Sequence, residues 1–266
     1  MPQPRTNYGK SCSLSAALQL FAVAIKGCIN VHQGIKALLN EETNVVDAYN
    51  RIVPRSNRRF YGEMGDAHEV YKTLCGLMPP NFRARSQGML LDQSVCSDGH
   101  VVTTHATYTE LTVYIPSRVH STTLHDLLMN LFEPTRVTDY SCATCGRPTE
   151  ATVGTAYMQH LPLSLLNIVI NRQDMNVVVD IHPRMAIHDT KWQLMGMTVY
   201  ISAGEHWVAY VLEDDVWWRC DDTSIVRAVK DPWNTVEVKR GAQLLLYRRQ
   251  PRSTRVRPAL VLHDSQ

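Results

Sequence analysis

The chain has no run of about 18 uninterrupted apolar residues, the length a membrane-crossing helix needs, so no transmembrane helix is expected. No apolar run of the kind a secretory leader carries precedes Cys12; Met1 is followed by Pro2, Gln3, Pro4 and Arg5. Charge of neither sign dominates: 27 Lys and Arg against 25 Asp and Glu leave a formal net charge of +2. That balance implies neither nucleic acid nor a membrane surface as a partner, and the one basic concentration, Lys239 to Arg257, reads as a solvated end. Cysteine is scarce. Seven in 266 residues are too few for a disulfide-dense secreted scaffold, and the number is odd. The thiols are therefore expected to be reduced and used for packing, metal ligation or catalysis. An intracellular protein, cytoplasmic or nuclear or both and not secreted, is the expectation, and a monomer. Internal repeats and low-complexity segments are also missing.

What is present suits a full-sized core, in one domain with lobes or two tightly joined ones. Leu14, Ala17, Leu18, Phe21 and Ile25 follow Cys12 at helical spacing, with Ser11 or Ser13 as a cap and Gly27 as a stop. Cys12 thus falls at or just before a helix N-terminus. Further helices are predicted at about 31–40, 44–52 and 66–77, the last closed by Gly76 and Pro79-Pro80. From about residue 86 strand-like alternation takes over, interrupted by one helix at about 122–131. Helices first and strands later predict an α+β fold rather than a doubly wound sheet. Residues from about 250 onward read as a loose tail.

A lone thiol is most often a packed structural group. A thiol at a helix N-terminus, however, feels the positive end of the helix dipole, which favours the nucleophilic thiolate. Such a nucleophile needs a base, and the base needs an orienting group. Gly204-Glu205-His206-Trp207-Val208-Ala209-Tyr210 puts a histidine at the start of an apolar strand, and Trp217-Trp218-Arg219-Cys220-Asp221-Asp222 follows after a short turn. Paired strands would bring Asp221 beside His206. Spacing alone favours the plainer reading, a surface histidine on a strand and an ordinary Asp-Asp turn.

Asn7-Tyr8-Gly9-Lys10-Ser11-Cys12-Ser13-Leu14, continuing to Leu18-Gln19, resembles the cysteine box of the ubiquitin-specific proteases, the USP family of deubiquitinases. Gly204 to Tyr210 is similar to that family's histidine box, and Trp217 to Asp222 to the segment carrying the third triad member. Gly65-Asp66-Ala67-His68-Glu69, Leu161-Pro162-Leu163 through Arg172, and Leu244 to Arg249 resemble three more of its elements, all in the family's order. The resemblance implies a papain-like, USP-type hand: a helical thumb over residues 1–85, fingers over 86–160, a β-rich palm over 161–250 and a flexible tail over 251–266. It implies Cys12 as nucleophile, His206 as base, Asp221 as the residue orienting it with Asp222 assisting, and Asn7 as an oxyanion donor. It places Asp66 on the extended tail of ubiquitin. Trp207, Trp217 and Trp218 are expected to pack the palm around the histidine strand, with Trp207 also a candidate to cover that tail. Glu205 stands where the family usually has a glycine.

Cys142-Ala143-Thr144-Cys145 is half of a zinc site by spacing, or else a redox pair lacking its usual strand–helix context. Cys96 and His100, four apart around an Asp-Gly turn, offer the other half, and Cys₃His suits tetrahedral structural zinc. The family's fingers often carry two such knuckles, which supports the pairing.

The expected activity is hydrolysis of the isopeptide or peptide bond after the C-terminal glycine of ubiquitin, through an acyl-enzyme on Cys12, with ubiquitin or its conjugates as partner and no organic cofactor. The same chemistry on a ubiquitin-like modifier or on a viral or mobile-element polyprotein is the alternative, and an inactive ubiquitin-binding scaffold is the alternative of another class.

Overall fold

A computed structural model describes residues 1–6, 11–28, 31–40, 44–53, 65–172 and 175–251. The first helix, α1 (Cys12–Ala24), is covered on almost every side. The spacing predicts one apolar face, but small residues (Ser13, Ser15, Ala16) fill much of the remainder of its circumference and are buried too. An all-round buried helix is a central one. It lies between a sheet on one side and further helices on the other.

Those helices are α2 (Gln33–Leu39), α3 (Val45–Ile52), α4 (Ala67–Gly76) and α5 (Pro80–Ser86). Side chains supply orphan N–H groups with partners at three of their starts: His32 accepts from Gly34, Asn44 from Val46, and Asp66 from His68. Pro79-Pro80, expected only to close a helix, also opens one. Pro80 sits in the first turn of α5, where a missing N–H costs nothing.

Strands follow: β1 (Gly88–Cys96), β2 (Val101–Tyr108), β3 (Leu111–Tyr114) and β4 (Ser121–Thr123), then α6 (Leu124–Asn130), β5 (Thr135–Ser141) and β6 (Pro148–His160). The remainder comprises β7 (Leu165–Asn171), β8 (Val178–Asp180), β9 (Arg184–Ile187), β10 (Thr190–Ile201), β11 (His206–Glu213), β12 (Val216–Asp221), β13 (Ser224–Arg227), α7 (Val236–Gly241) and β14 (Ala242–Arg249). Among the described residues no helix is long and apolar enough to cross a membrane.

Two larger sheets result. Strands β2-β1-β6-β5 make a four-stranded antiparallel sheet, the fingers. Strands β13-β12-β11-β10-β14-β7-β3 make the palm, with β9 added on β10. The expected fingers segment 86–160 is not all fingers. Its middle returns to the palm, where β3 runs parallel to β7 and α6 packs beneath. The physical reason is apolar content: Leu111, Val113, Leu124 and Leu127 are buried, whereas the fingers strands are largely exposed.

The palm has both faces covered, so its central strands read as continuous apolar runs. Alternate residues go to opposite cores. Leu165, Val169, Ala209, Leu244 and Leu246 face α1, while Leu166, Ile168, Val208, Leu245 and Tyr247 face α6 and α7. Gly196 on β10 permits the close approach of α1, because a Cβ there would come within 2.6 Å of Leu20.

Candidate active site

Cys12 is the first residue of α1 and is only 4% exposed. Its thiol sits against the backbone N–H of Trp207, the residue after His206. The helix dipole led us to expect a lowered thiol pKa; the structure places it above its ordinary value. Burial raises it most, the N–H of Trp207 lowers it, the charge of Asp222 raises it again, and the N–H groups of Ser13 and Cys12 itself lower it. At this buried position desolvation therefore outweighs the helix terminus.

His206 opens β11, on a turn in which Glu205 takes the left-handed conformation at φ 46° and ψ 48°. Its Nε2 lies 2.6 Å from Asp221 Oδ1. Register explains the meeting. Tyr210 pairs with Arg219 across β11 and β12, and side chains alternate along each strand. Two and four residues back from Tyr210, Val208 and His206 share its face; two residues on from Arg219, Asp221 shares it as well. The second carboxylate oxygen, Asp221 Oδ2, takes a hydrogen bond from Arg219 Nη1 at 2.7 Å. Burial would raise the Asp221 pKa, but the hydrogen bonds from His206 and Arg219 and their charges hold it below the usual carboxylate value.

Of the other residues expected here, Asp222 joins the group: one oxygen from each of Asp221 and Asp222 and a ring nitrogen of His206 lie within 4.8 Å of one another. Asn7 lies outside the described residues. Asp66 is exposed and uses Oδ1 to cap α4 through the N–H of His68, 2.8 Å away. Trp207 must be corrected. It is 5% exposed and packs in the core with its ring 5.2 Å from that of Tyr200, because the residue after His206 points to the α1 side of the sheet. It therefore offers a bound chain little surface. Arg219 binds Asp221, Glu237 binds Arg219 and Tyr210 binds Glu237, and none of the three carries a motif of its own in the sequence; a two-residue step back from Asp221 along a strand is the signal that finds Arg219.

At the far end of the fingers, Cys96, His100, Cys142 and Cys145 converge, with one donor atom from each within 4.8 Å of the others. Cys96 Sγ is 3.5 Å from both His100 Nδ1 and Cys145 Sγ, and His100 Nδ1 is 3.1 Å from Cys145 Sγ. Donors on one tetrahedral zinc, at bond lengths of about 2.0–2.3 Å, sit roughly 3.4–3.8 Å apart, so the set is the right size. Two turns deliver it, each with a glycine at positive φ: Gly99 at 81° between β1 and β2, and Gly146 at 65° between β5 and β6. The backbone N–H of Cys145 leads in pulling the Cys142 thiol down to about 7, towards the thiolate a metal needs. Cys145 is raised, first by burial and then by its bonds to Cys142 and Asp98. The donor set fits a metal ion.

No protein-family model matches the chain, and no curated protein matches it by sequence. Solved structures do. One is the SAGA Ubp8/Sgf11/Sus1/Sgf73 DUB module bound to ubiquitin aldehyde, at TM-score 0.70 and 16% identity, covering 94% of this chain and 70% of that one. Another is the same module carrying a cysteine-to-alanine Ubp8, bound to monoubiquitin, at TM-score 0.71 and 16% identity, covering 94% and 69%. Element order, the two sheets and this coverage agree on one architecture: the chain has the α+β hand of the USP-type deubiquitinase fold.

Proposed function

We propose that this chain is a thiol-dependent deubiquitinase, cleaving the isopeptide or peptide bond that follows the C-terminal glycine of ubiquitin. The observation that carries the reading is the seating of Cys12 against β11 where His206 is bound to Asp221, on a fold shared with a deubiquitinase module solved with ubiquitin.

The steps follow from the residues. Asp221 engages Nε2 of His206, which leaves Nδ1 as the atom that takes the Cys12 proton. The thiolate attacks the glycine carbonyl carbon. The developing oxyanion meets N–H donors at the start of α1, with Asn7 as the further donor that the resemblance assigns. The imidazolium then protonates the leaving lysine amine as the C–N bond breaks, giving a thioester. Water that loses its proton to His206 attacks the thioester, and Cys12 leaves as thiolate. Substrate entry must also offset the desolvation that holds the thiol protonated, and the tail of the bound chain supplies oriented peptide groups for that.

The fingers site would hold zinc through Cys96, His100, Cys142 and Cys145. With four protein ligands the ion supplies no open position for chemistry and acts as a cross-link between two hairpin turns.

A ubiquitin probe with a C-terminal electrophile tests the reading. Labelling that disappears in Cys12→Ala supports it. Labelling by a ubiquitin-like probe in place of ubiquitin moves the substrate to that modifier. No labelling by either, from folded protein, removes the deubiquitinase assignment.

A further inference from the structure

The Asp221 carboxylate is shared. Its Oδ1 meets His206 Nε2 at 2.6 Å and its Oδ2 accepts from Arg219 Nη1 at 2.7 Å. Arg219 is fixed in turn: its Nε donates to Glu237 Oε1 at 3.2 Å, and the Tyr210 hydroxyl donates to the same oxygen at 2.8 Å. A continuous chain thus runs Tyr210, Glu237, Arg219, Asp221, His206, across β11, β12 and the first turn of α7. Each ion-paired member is about one-quarter to one-third exposed, so solvent weakens the charges but leaves the geometry.

We propose that Arg219 is a positioning residue for the catalytic pair, fixing the plane of Asp221 and offsetting its charge so that His206 is both oriented and able to release its proton. This rests on the triad reading given above. The argument has two parts. An aspartate with one oxygen engaged can rotate about its terminal bond and tilt the imidazole away from Cys12; a guanidinium on the second oxygen prevents that. A carboxylate acting alone also stabilises imidazolium strongly, and a cation two residues away along the strand moderates it. Other groups around the pair are Cys12 on α1, Asp222 and Glu205 on the flanking turns, Tyr200 on β10, and Glu237 and Tyr210 in the chain itself. Arg219 is the fixed cation bonded to this pair. Burial disfavours its charge, but Asp221 and Glu237 hold it protonated.

Arg219→Met, Arg219→Lys and Glu237→Gln test the proposal. On a ubiquitin C-terminal amide substrate, with rates normalised to the fraction labelled by the electrophilic probe, Arg219→Met is expected to lose roughly 10- to 100-fold in kcat with KM little changed. The acid limb of its pH profile, above which His206 is neutral and able to take the Cys12 proton, moves upward, because a cation next to the imidazolium's partner has gone. Arg219→Lys restores the position of that limb and part of the rate, and Glu237→Gln falls between. A kcat within twofold of wild type with an unmoved limb overturns the proposal. So does a loss carried entirely by KM. A substrate-independent arm uses proton NMR of folded Cys12→Ala protein, with and without Arg219→Met. The downfield signal of the short His206 N–H bond is expected to broaden or shift when Arg219 is replaced, and an unchanged signal overturns the proposal whatever the substrate. Failure of ubiquitin labelling with a responsive NMR signal would instead fault the substrate reading alone.

Discussion

The backbone N–H of Arg5 donates to the carbonyl of Asp222 at 2.9 Å. The same residue sends its guanidinium to the carbonyls that end α2, Nη1 to Leu38 at 3.2 Å and Nη2 to Leu39 at 3.0 Å, and it is 1% exposed. One buried arginine thus ties the helical thumb to the turn that follows Asp221. Replacing it with methionine keeps much of the volume but leaves two helix-end carbonyls without those donors. The expected loss is about 2–4 kcal/mol, read from urea unfolding midpoints, and Arg5→Lys should recover only part of it because one ammonium lacks the planar fork.

The proposed triad makes a second prediction. Asp221→Asn preserves shape but removes the charge that supports imidazolium, and an amide can present its NH₂ to the ring and reverse the tautomer. The rate on a ubiquitin amide substrate is expected to fall by about 10²–10⁴-fold, with probe binding retained. His206→Ala should lose at least as much. Comparable rates in wild type and Asp221→Asn would move the orienting role to Asp222.

Much of this site was legible in the sequence because its parts lie at element boundaries that have chemical signatures. Cys12 begins a helix, His206 begins a strand, and Asp66 caps a helix, all at the expected positions. The zinc-type donors were legible because ligand spacing is local within each turn. Four things were only partly so or not at all. The raised Cys12 pKa depends on burial by elements far along the chain. Trp207, beside His206, reads both as a palm-packing residue and as a candidate binding surface, and strand alternation turns it into the core. Arg5 carries no signal in the sequence, and only the folded thumb gives it carbonyls to hold. The return of β3 to the palm was missed for a similar reason: a four-residue strand carries too little pattern to name its partner.

Acid stability yields a third prediction, at Glu110. Burial alone would raise this carboxyl, but hydrogen bonds from His68 Nε2 and Lys72 Nζ, each 2.8 Å, and their charges hold it down at about 2. A depressed carboxylate pKa stabilises the fold above the unfolded value of about 4.3, and that stability is lost as pH falls from there towards the folded value. The side chain is 17% exposed, so solvent screening is partial. Denaturation measured from pH 7 to pH 2.5 should show a contribution of order 2 kcal/mol in wild type that is absent from Glu110→Gln. Parallel pH curves for the two proteins would show that the pair contributes nothing.

Metal removal provides a fourth. If the four fingers ligands hold zinc, purified protein should carry close to one equivalent, and chelation should release the turns at Gly99 and Gly146 first. Amide exchange is expected to rise across residues 94–102 and 138–150 while β10, β11 and β14 stay protected, since those strands have their own cores. Cys142→Ser should reproduce the pattern without chelator. Uniform loss of protection would mean that the site supports the whole hand, and no metal in unchelated protein would remove the zinc assignment.

The last concerns the turn before His206. Glu205 holds φ 46° and ψ 48°, a conformation in which a side chain is strained and glycine is not. The resemblance marks this position as one where glycine is usual, and the geometry gives the reason. Glu205→Gly relieves roughly 1 kcal/mol of backbone strain, partly offset by the greater freedom of glycine in the unfolded chain. A net gain of about 0.5 kcal/mol would raise the melting temperature by only 1–2 °C in a domain of this size. The charge is lost at the same time, and Glu205 is one of the groups that push the Tyr200 hydroxyl upward. Glu205→Ala separates the two effects, because it removes the charge and keeps the strain. Calorimetry should show the gain in Glu205→Gly alone. An equal gain in Glu205→Ala would assign it to electrostatics beside His206, and the backbone argument for this turn would fail.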